Sequence, residues 1–224
     1  MHQTLGAIFD LDGTLVDSCR AHERAWRELG ESVGIEVTRA FFLEHFGRPN
    51  RPILDSLFRR AGRAAPTAGE LEEFGAIKEA TFRRVIDQDF PPMPGGSALL
   101  HSLRKAGWRL AIGSSAPPVN VDFMLGHLGC RALFDAIVTG HCVERGKPHP
   151  DVFTEAARRL GLAADRCVVI EDAAPGIEAA IAAGMRSVAL CSEGHTVEEL
   201  SRASLVVHHL DALSPSLLQS LLTP

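Results

Sequence analysis

Two carboxylates spaced two apart, Asp10 and Asp12, follow directly on a short apolar run, Leu5-Gly6-Ala7-Ile8-Phe9. The run reads as a buried strand, and on extended backbone this spacing points both side chains to the same side. Gly13 and Thr14 follow and predict a sharp turn whose backbone N–H groups face an anion. Carboxylates beside an anion cradle repel one another and the anion. The pattern makes chemical sense when a divalent cation sits between them and one carboxylate attacks phosphorus.

Such a site needs elements to hold it. Past the first strand, residues 18 to 90 read as helix. Ala21, Ala25, Trp26 and Leu29 form one helical stripe; Ile53, Leu54, Leu57 and Phe58 form a second; Phe74, Ile77, Phe82 and Val85 form a third. The block ends at Pro91-Pro92-Met93-Pro94-Gly95-Gly96, the strongest punctuation in the chain. Beyond it apolar strands alternate with helices. Strands are predicted over 108–112, 136–138, 167–170, 187–190 and 205–207, and helices near 97–106, 119–128, 151–160 and 176–183. This alternation predicts an α/β fold, a doubly wound, Rossmann-like parallel sheet with helices on both faces. The domain reading is a core of 1–16 plus 92–224, with an all-helical domain, 17–91, inserted after the first strand.

Ligands of such sheets bind beyond the carboxyl ends of the strands, and polar residues stand at four of those ends. The first carries Asp10 and Asp12, the second Ser114 and Ser115, the third leads into Gly146-Lys147-Pro148-His149-Pro150-Asp151, and the fourth carries Glu171-Asp172. Each has a plainer reading. An Asp pair after a strand caps turns and helices. Lys147 reads alone as a surface-loop residue, and Glu171-Asp172 as acidic residues favouring a helix N-terminus.

The totals exclude several classes. The 224 residues are 46% hydrophobic and 23% charged, with net charge -5. The balance and the lack of a Lys/Arg cluster speak against nucleic acid. No apolar run approaches the roughly 20 residues of a membrane helix, and no signal peptide is read at the N-terminus. Cys19, Cys130, Cys142, Cys167 and Cys191 are scattered and form no C-x-x-C pair. They read as buried free thiols of a reducing cytosol, against a zinc site or a disulfide framework. Nothing resembles a coiled-coil seam, so a monomer or small homo-oligomer is expected.

In order and spacing the chain resembles the haloacid dehalogenase superfamily of phosphotransferases. The resemblance rests on D-x-D-G-T-L-x-D at 10–17, Ser114 after an apolar strand, G-K-P-x-P-D at 146–151 and E-D-A-x-x-G-I-x-A-A at 171–180. It implies Asp10 as nucleophile, forming an aspartyl-phosphate, and Asp12 as the acid and then the base. Ser114 and backbone N–H groups near Asp12 and Gly13 would bind the phosphoryl group, with Ser115 beside them. Lys147 would offset charge between nucleophile and phosphate. Asp10, the Asp12 carbonyl, Glu171 and Asp172 would hold Mg²⁺, a site that Mn²⁺ also suits. Asp17 either caps the next helix or supports the site from behind.

The helical insertion resembles the family's cap, which closes over small substrates, excludes water and sets specificity. Gly47 and Arg48 fall where a cap loop meets the substrate; Arg48 and Arg51 read either as substrate contacts or as solvated loop residues. His22 reads as a hinge hydrogen-bonder or as packing on Trp26. The dehalogenase members lack an acid at the Asp12 position, so a phosphatase is implied, acting on a small phosphorylated metabolite of sugar-phosphate or phosphoglycolate type. A β-phosphoglucomutase is the alternative. That enzyme carries Lys-Gly and then Ser-Arg in the cap, where this chain has Phe46-Gly47 and Pro49-Asn50. A non-catalytic binding protein on the same fold is the third reading.

Overall fold

The computed structural model describes residues 4–223. β1 (Gly6–Phe9) leads into four helices, α1 (Cys19–Ser32), α2 (Arg39–His45), α3 (Asn50–Arg60) and α4 (Ala68–Ile86). The chain then alternates through α5 (Gly96–Lys105), β2 (Arg109–Gly113), α6 (Pro118–Leu128), β3 (Ala136–Val138), α7 (Asp151–Leu160), β4 (Cys167–Glu171), α8 (Ala174–Ala182), β5 (Arg186–Leu190), β6 (Leu205–Val207) and α9 (Pro215–Leu222). It divides into two compact units: Ser18–Pro91, and the rest of the described chain.

In the larger unit, six parallel strands among the described residues form one sheet of order β3-β2-β1-β4-β5-β6. Both faces are covered, which is why β1 and β4 are buried throughout and, up to Glu171 at the end of β4, apolar without alternation. Ile8, Ala111 and Val169 point to one face and pack with Phe153, Ala156 and Leu160 of α7 and with Ala179 and Ala180 of α8. The intervening residues, among them Phe9, Ile112 and Ile170, point to the other face by the two-residue period. Phe9 is level with Ile112 on one side and Ile170 on the other, so the next residue of each strand emerges at the same carboxyl edge. The order reverses between β1 and β4, and at such a reversal the crevice for a ligand opens.

In the helical unit, Trp26, Leu29, Phe41, Phe42, Ile53, Leu54, Leu57 and Phe58 make one core. The first two stripes read from the sequence are buried. The third is not: Ile77 is exposed and Val85 half-buried, while the buried face of α4 runs through Lys78, Glu79, Phe82 and Ile86. Two charged residues sit where an apolar stripe was expected, because other polar groups of the same unit face them.

None of the five cysteines is in a disulfide. Three are buried as expected, but Cys142 is exposed and Cys191 half-buried. Among the described residues no helix is long and apolar enough to cross a membrane.

Candidate active site

The ends of β1 and β4 bring three carboxylates together. Asp10 follows β1, Glu171 closes β4, and Asp172 comes next; one oxygen from each lies within 4.8 Å of the others. All three are buried, at 6, 2 and 3% exposure. Asp10 is pinned to the neighbouring strand, its N–H donating to Ile170 O at 2.9 Å. Lys147, in the loop after β3, donates from Nζ to Asp10 Oδ1 and to Glu171 Oε1, both at 2.6 Å. Its ammonium also sits 4.9 Å from the ring centre of Phe153, which shields it from water.

Glu171 does more than offer one oxygen. Oε1 takes Lys147, while Oε2 accepts the N–H groups of Asp172 at 2.7 Å and Ala173 at 2.6 Å. The carboxylate thus fixes the ammonium and the entry to α8 together. Gly176 makes room for it, since a Cβ there would meet Glu171 Oε1 at 1.8 Å.

The charges are unbalanced, with three buried carboxylates around one ammonium. Asp10 is raised to about 7, by burial first and then by Glu171 and Asp12, with Lys147 opposing them. Asp172 is raised well above its ordinary value by burial, then by Glu171 and Asp10. Burial opposes the charge on Lys147, but Asp10 and Glu171 outweigh it and hold the proton on. Excess buried negative charge from hard oxygen donors is the environment a divalent cation such as Mg²⁺ neutralises, so the residues fit that ion.

Asp12 is half-buried and close enough to Asp10 to act on its charge. Ser114 lies buried at the end of β2, its N–H on Val138 O at 3.0 Å. Its Oγ accepts from Ala116 N–H at 3.1 Å, so the hydroxyl proton is what it offers a ligand. Ser115 follows it, half-buried.

Gly13 corrects an expectation. Its N–H donates to Val16 O at 2.8 Å, and the Thr14 N–H donates to Leu11 O at 3.4 Å, so both belong to the turn rather than to an anion cradle. Gly13 is needed for another reason. It has φ 73°, and a Cβ on it would lie 1.8 Å from Asp172 Oδ2. At the start of α1 the capping position belongs to Ser18, not Asp17.

The helical unit holds a polar cluster of its own. Lys78 Nζ lies 2.9 Å from His22 Nδ1 and 2.9 Å from Glu79 Oε1, and Asn50 Nδ2 donates to Glu79 Oε1 at 2.7 Å. His22 stacks on Phe82 at 4.0 Å between ring centres, so it both hydrogen-bonds and packs, but on Phe82 rather than Trp26. The Trp26 ring instead meets Lys78, at 5.6 Å. Gly47 and Arg48 lie exposed in the loop between α2 and α3, as does Arg51 at the start of α3. The sequence reading missed Lys78, Glu79 and Asn50. The available signal was a Lys-Glu pair set inside an apolar helical stripe.

A family model for haloacid dehalogenase-like hydrolases matches residues 5–184. The chain is 35% identical over 213 residues to hexitol phosphatase A of Escherichia coli, covering 93% of each protein. It is 32% identical over 187 residues to the fructose-1-phosphate phosphatase of the same organism, covering 82% of this chain and 94% of that one. Among solved structures, a β-phosphoglucomutase from Clostridium difficile superposes with a TM-score of 0.88 at 28% identity, over 98% of this chain and 97% of the other. The motif order, the carboxylate cluster at the switch of strand order and these likenesses agree: the chain belongs to the haloacid dehalogenase-like hydrolases.

Proposed function

We propose that this protein is a Mg²⁺-dependent phosphatase that hydrolyses a small phosphorylated metabolite, of sugar-phosphate or phosphoglycolate type, through an aspartyl-phosphate. The observation that carries the reading is the Lys147 ammonium held by both Asp10 and Glu171 within a buried group of three carboxylates. Two relatives named for sugar and sugar-alcohol phosphates support the substrate class.

In this reading an Asp10 carboxylate oxygen attacks phosphorus, and the bond from phosphorus to the leaving oxygen breaks. Asp12 gives its proton to that oxygen. Water then attacks phosphorus of the aspartyl-phosphate and loses its proton to Asp12, and inorganic phosphate leaves as Asp10 is regenerated. Lys147 orients Asp10 and lowers the repulsion between an anionic nucleophile and an anionic substrate. Ser114 donates to a phosphoryl oxygen. Asp10, Glu171 and Asp172, with the main chain at Asp12, would hold Mg²⁺, which when bound supplies positive charge against the phosphoryl oxygens. The helical unit is read as the family's cap, and cysteines outside any disulfide suit a reducing cytosol.

The mutase reading is the weaker one. The solved mutase supports it through overall likeness. Against it, Pro49-Asn50 stand where that enzyme is expected to carry Ser-Arg, and Asn50 is engaged with Glu79.

The test is purified protein with Mg²⁺ and a panel of phosphate monoesters, with β-glucose 1-phosphate primed by a trace of glucose bisphosphate. Free phosphate from a few panel members, lost on chelation, is the expected result. Glucose 6-phosphate without free phosphate would overturn the phosphatase reading in favour of the mutase.

A further inference from the structure

The mechanism above leaves the end of β5 unused, and sequence reading passed over it. Cys191 N–H donates to Val207 O at 2.8 Å, so the β5–β6 ladder still holds the chain one residue beyond the strand. Ser192 then folds back, its N–H on Leu190 O at 2.9 Å. This brings Ser192 Oγ to 3.0 Å from Asp172 Oδ2, donating to it. Thr14 Oγ1 donates to the other oxygen, Oδ1, at 3.4 Å, near the limit of a hydrogen bond. Backbone at Gly13 closes a further side, where no Cβ fits against Oδ2. The Asp172 carboxylate is therefore gripped from both oxygens, with the firmer hold from Ser192.

We propose that Ser192 is a positioning residue for the cation site, its hydroxyl fixing the rotation of the Asp172 carboxylate and keeping that carboxylate ready to bind Mg²⁺. A hydroxyl donor on one carboxylate oxygen restrains the rotation of the group and leaves further lone pairs for a cation. Groups that hold a metal ligand from behind change affinity by about 10–100-fold when removed. The hold depends on β5 lying between β4 and β6, so it is a product of the sheet rather than of a motif. The inference rests on the reading of Asp10, Glu171 and Asp172 as a Mg²⁺ site.

The experiment titrates Mg²⁺ alone into metal-free wild type, Ser192→Ala and Ser192→Thr. Binding is read by calorimetry and by the rise in unfolding temperature, alongside the Mg²⁺ concentration giving half-maximal phosphatase activity. Ser192→Ala is expected to bind Mg²⁺ about tenfold more weakly or worse, with activity recovered as Mg²⁺ is raised. Ser192→Thr, which keeps the hydroxyl, is expected to restore binding to within about threefold. Wild-type affinity in Ser192→Ala overturns the inference, as does an equal loss in both variants. Should Ser192→Ala fail to fold, Ser192→Cys, close in size and a weak donor, takes its place with the same expected loss. A wild type that binds no Mg²⁺ overturns the cation reading and this one with it; a wild type and a Ser192→Ala that bind equally well overturn this one alone.

Discussion

Lys147 is the residue on which the local balance turns. It is a surface-loop lysine by sequence, yet its side chain is 5% exposed and bonded to two buried carboxylates. Removing it leaves three buried acids without a cation. Lys147→Met should destabilise the metal-free core by about 3–5 kcal/mol, measured by urea unfolding, because one partner of a buried pair is lost while the other stays. A loss below about 1 kcal/mol would show that water reaches the cluster and screens it. Asp10→Asn tests the chemistry instead. Its shape is kept and its nucleophilicity is not, so phosphate release should fall by on the order of 10⁴-fold or more, with the circular dichroism of the wild type. Wild-type rates in that variant would remove Asp10 from the mechanism.

At the scale of elements, the start of α8 shows why a motif has the residues it has. Glu171 fills the space over Gly176 and receives the N–H groups that lead into the helix. Glu171 therefore organises a helix entry, as the plain reading has it, while the pair also offers carboxylate oxygens to the proposed cation site. Gly176→Ala would force Cβ and carboxylate apart, costing about 1–3 kcal/mol in thermal unfolding and weakening Mg²⁺ binding in the same protein. If stability fell while Mg²⁺ affinity stayed at the wild-type value, Glu171 would not be part of the cation site. Next to the cluster, α7 carries Phe153, fully buried with Ile8 and Ala111 in one core and 4.9 Å from the Lys147 ammonium. One aromatic ring thus belongs to the core and to the site.

For the whole molecule, the buried acids set how stability depends on pH. Burial lifts Asp10 to about 7 and Asp172 well above 3.8. Between the ordinary value and the raised one, the folded chain holds protons that the unfolded chain has released. Stability from these groups is full below the ordinary value and is lost as pH rises through the folded one. Metal-free protein should therefore lose more stability than Asp10→Asn between about pH 5 and pH 8, followed by thermal unfolding. Parallel curves for the two proteins would refute the raised carboxyl. Mg²⁺ binds the ionised form, so it should flatten the decline. At a hundredfold excess over Kd it should add about 2.7 kcal/mol, or about 5–10 °C in Tm for a chain of this size.

The local order of the sequence determined the α/β alternation, the helical block and the four strand ends bearing Asp10, Ser114, Lys147 and Glu171-Asp172. These were legible because hydrophobic period and motif spacing are properties of adjacent residues. Other features came only from tertiary structure. Gly13 has its N–H inside its own turn because Val16 O lies there, and its missing side chain matters because Asp172, far off in sequence, lies against it. Lys78 and Glu79 occupy an apolar stripe because His22 and Asn50, on other helices, face them. Ser192 reaches Asp172 only because β5 pairs beside β4. Apart from the local Gly13–Val16 turn, the decisive partner in each case is distant along the chain, and a pattern read one residue after another carries no distance between elements. Chemistry by residue type was written in the sequence; which groups touch, and so which charges are balanced, was decided by the packing of the sheet and the helices.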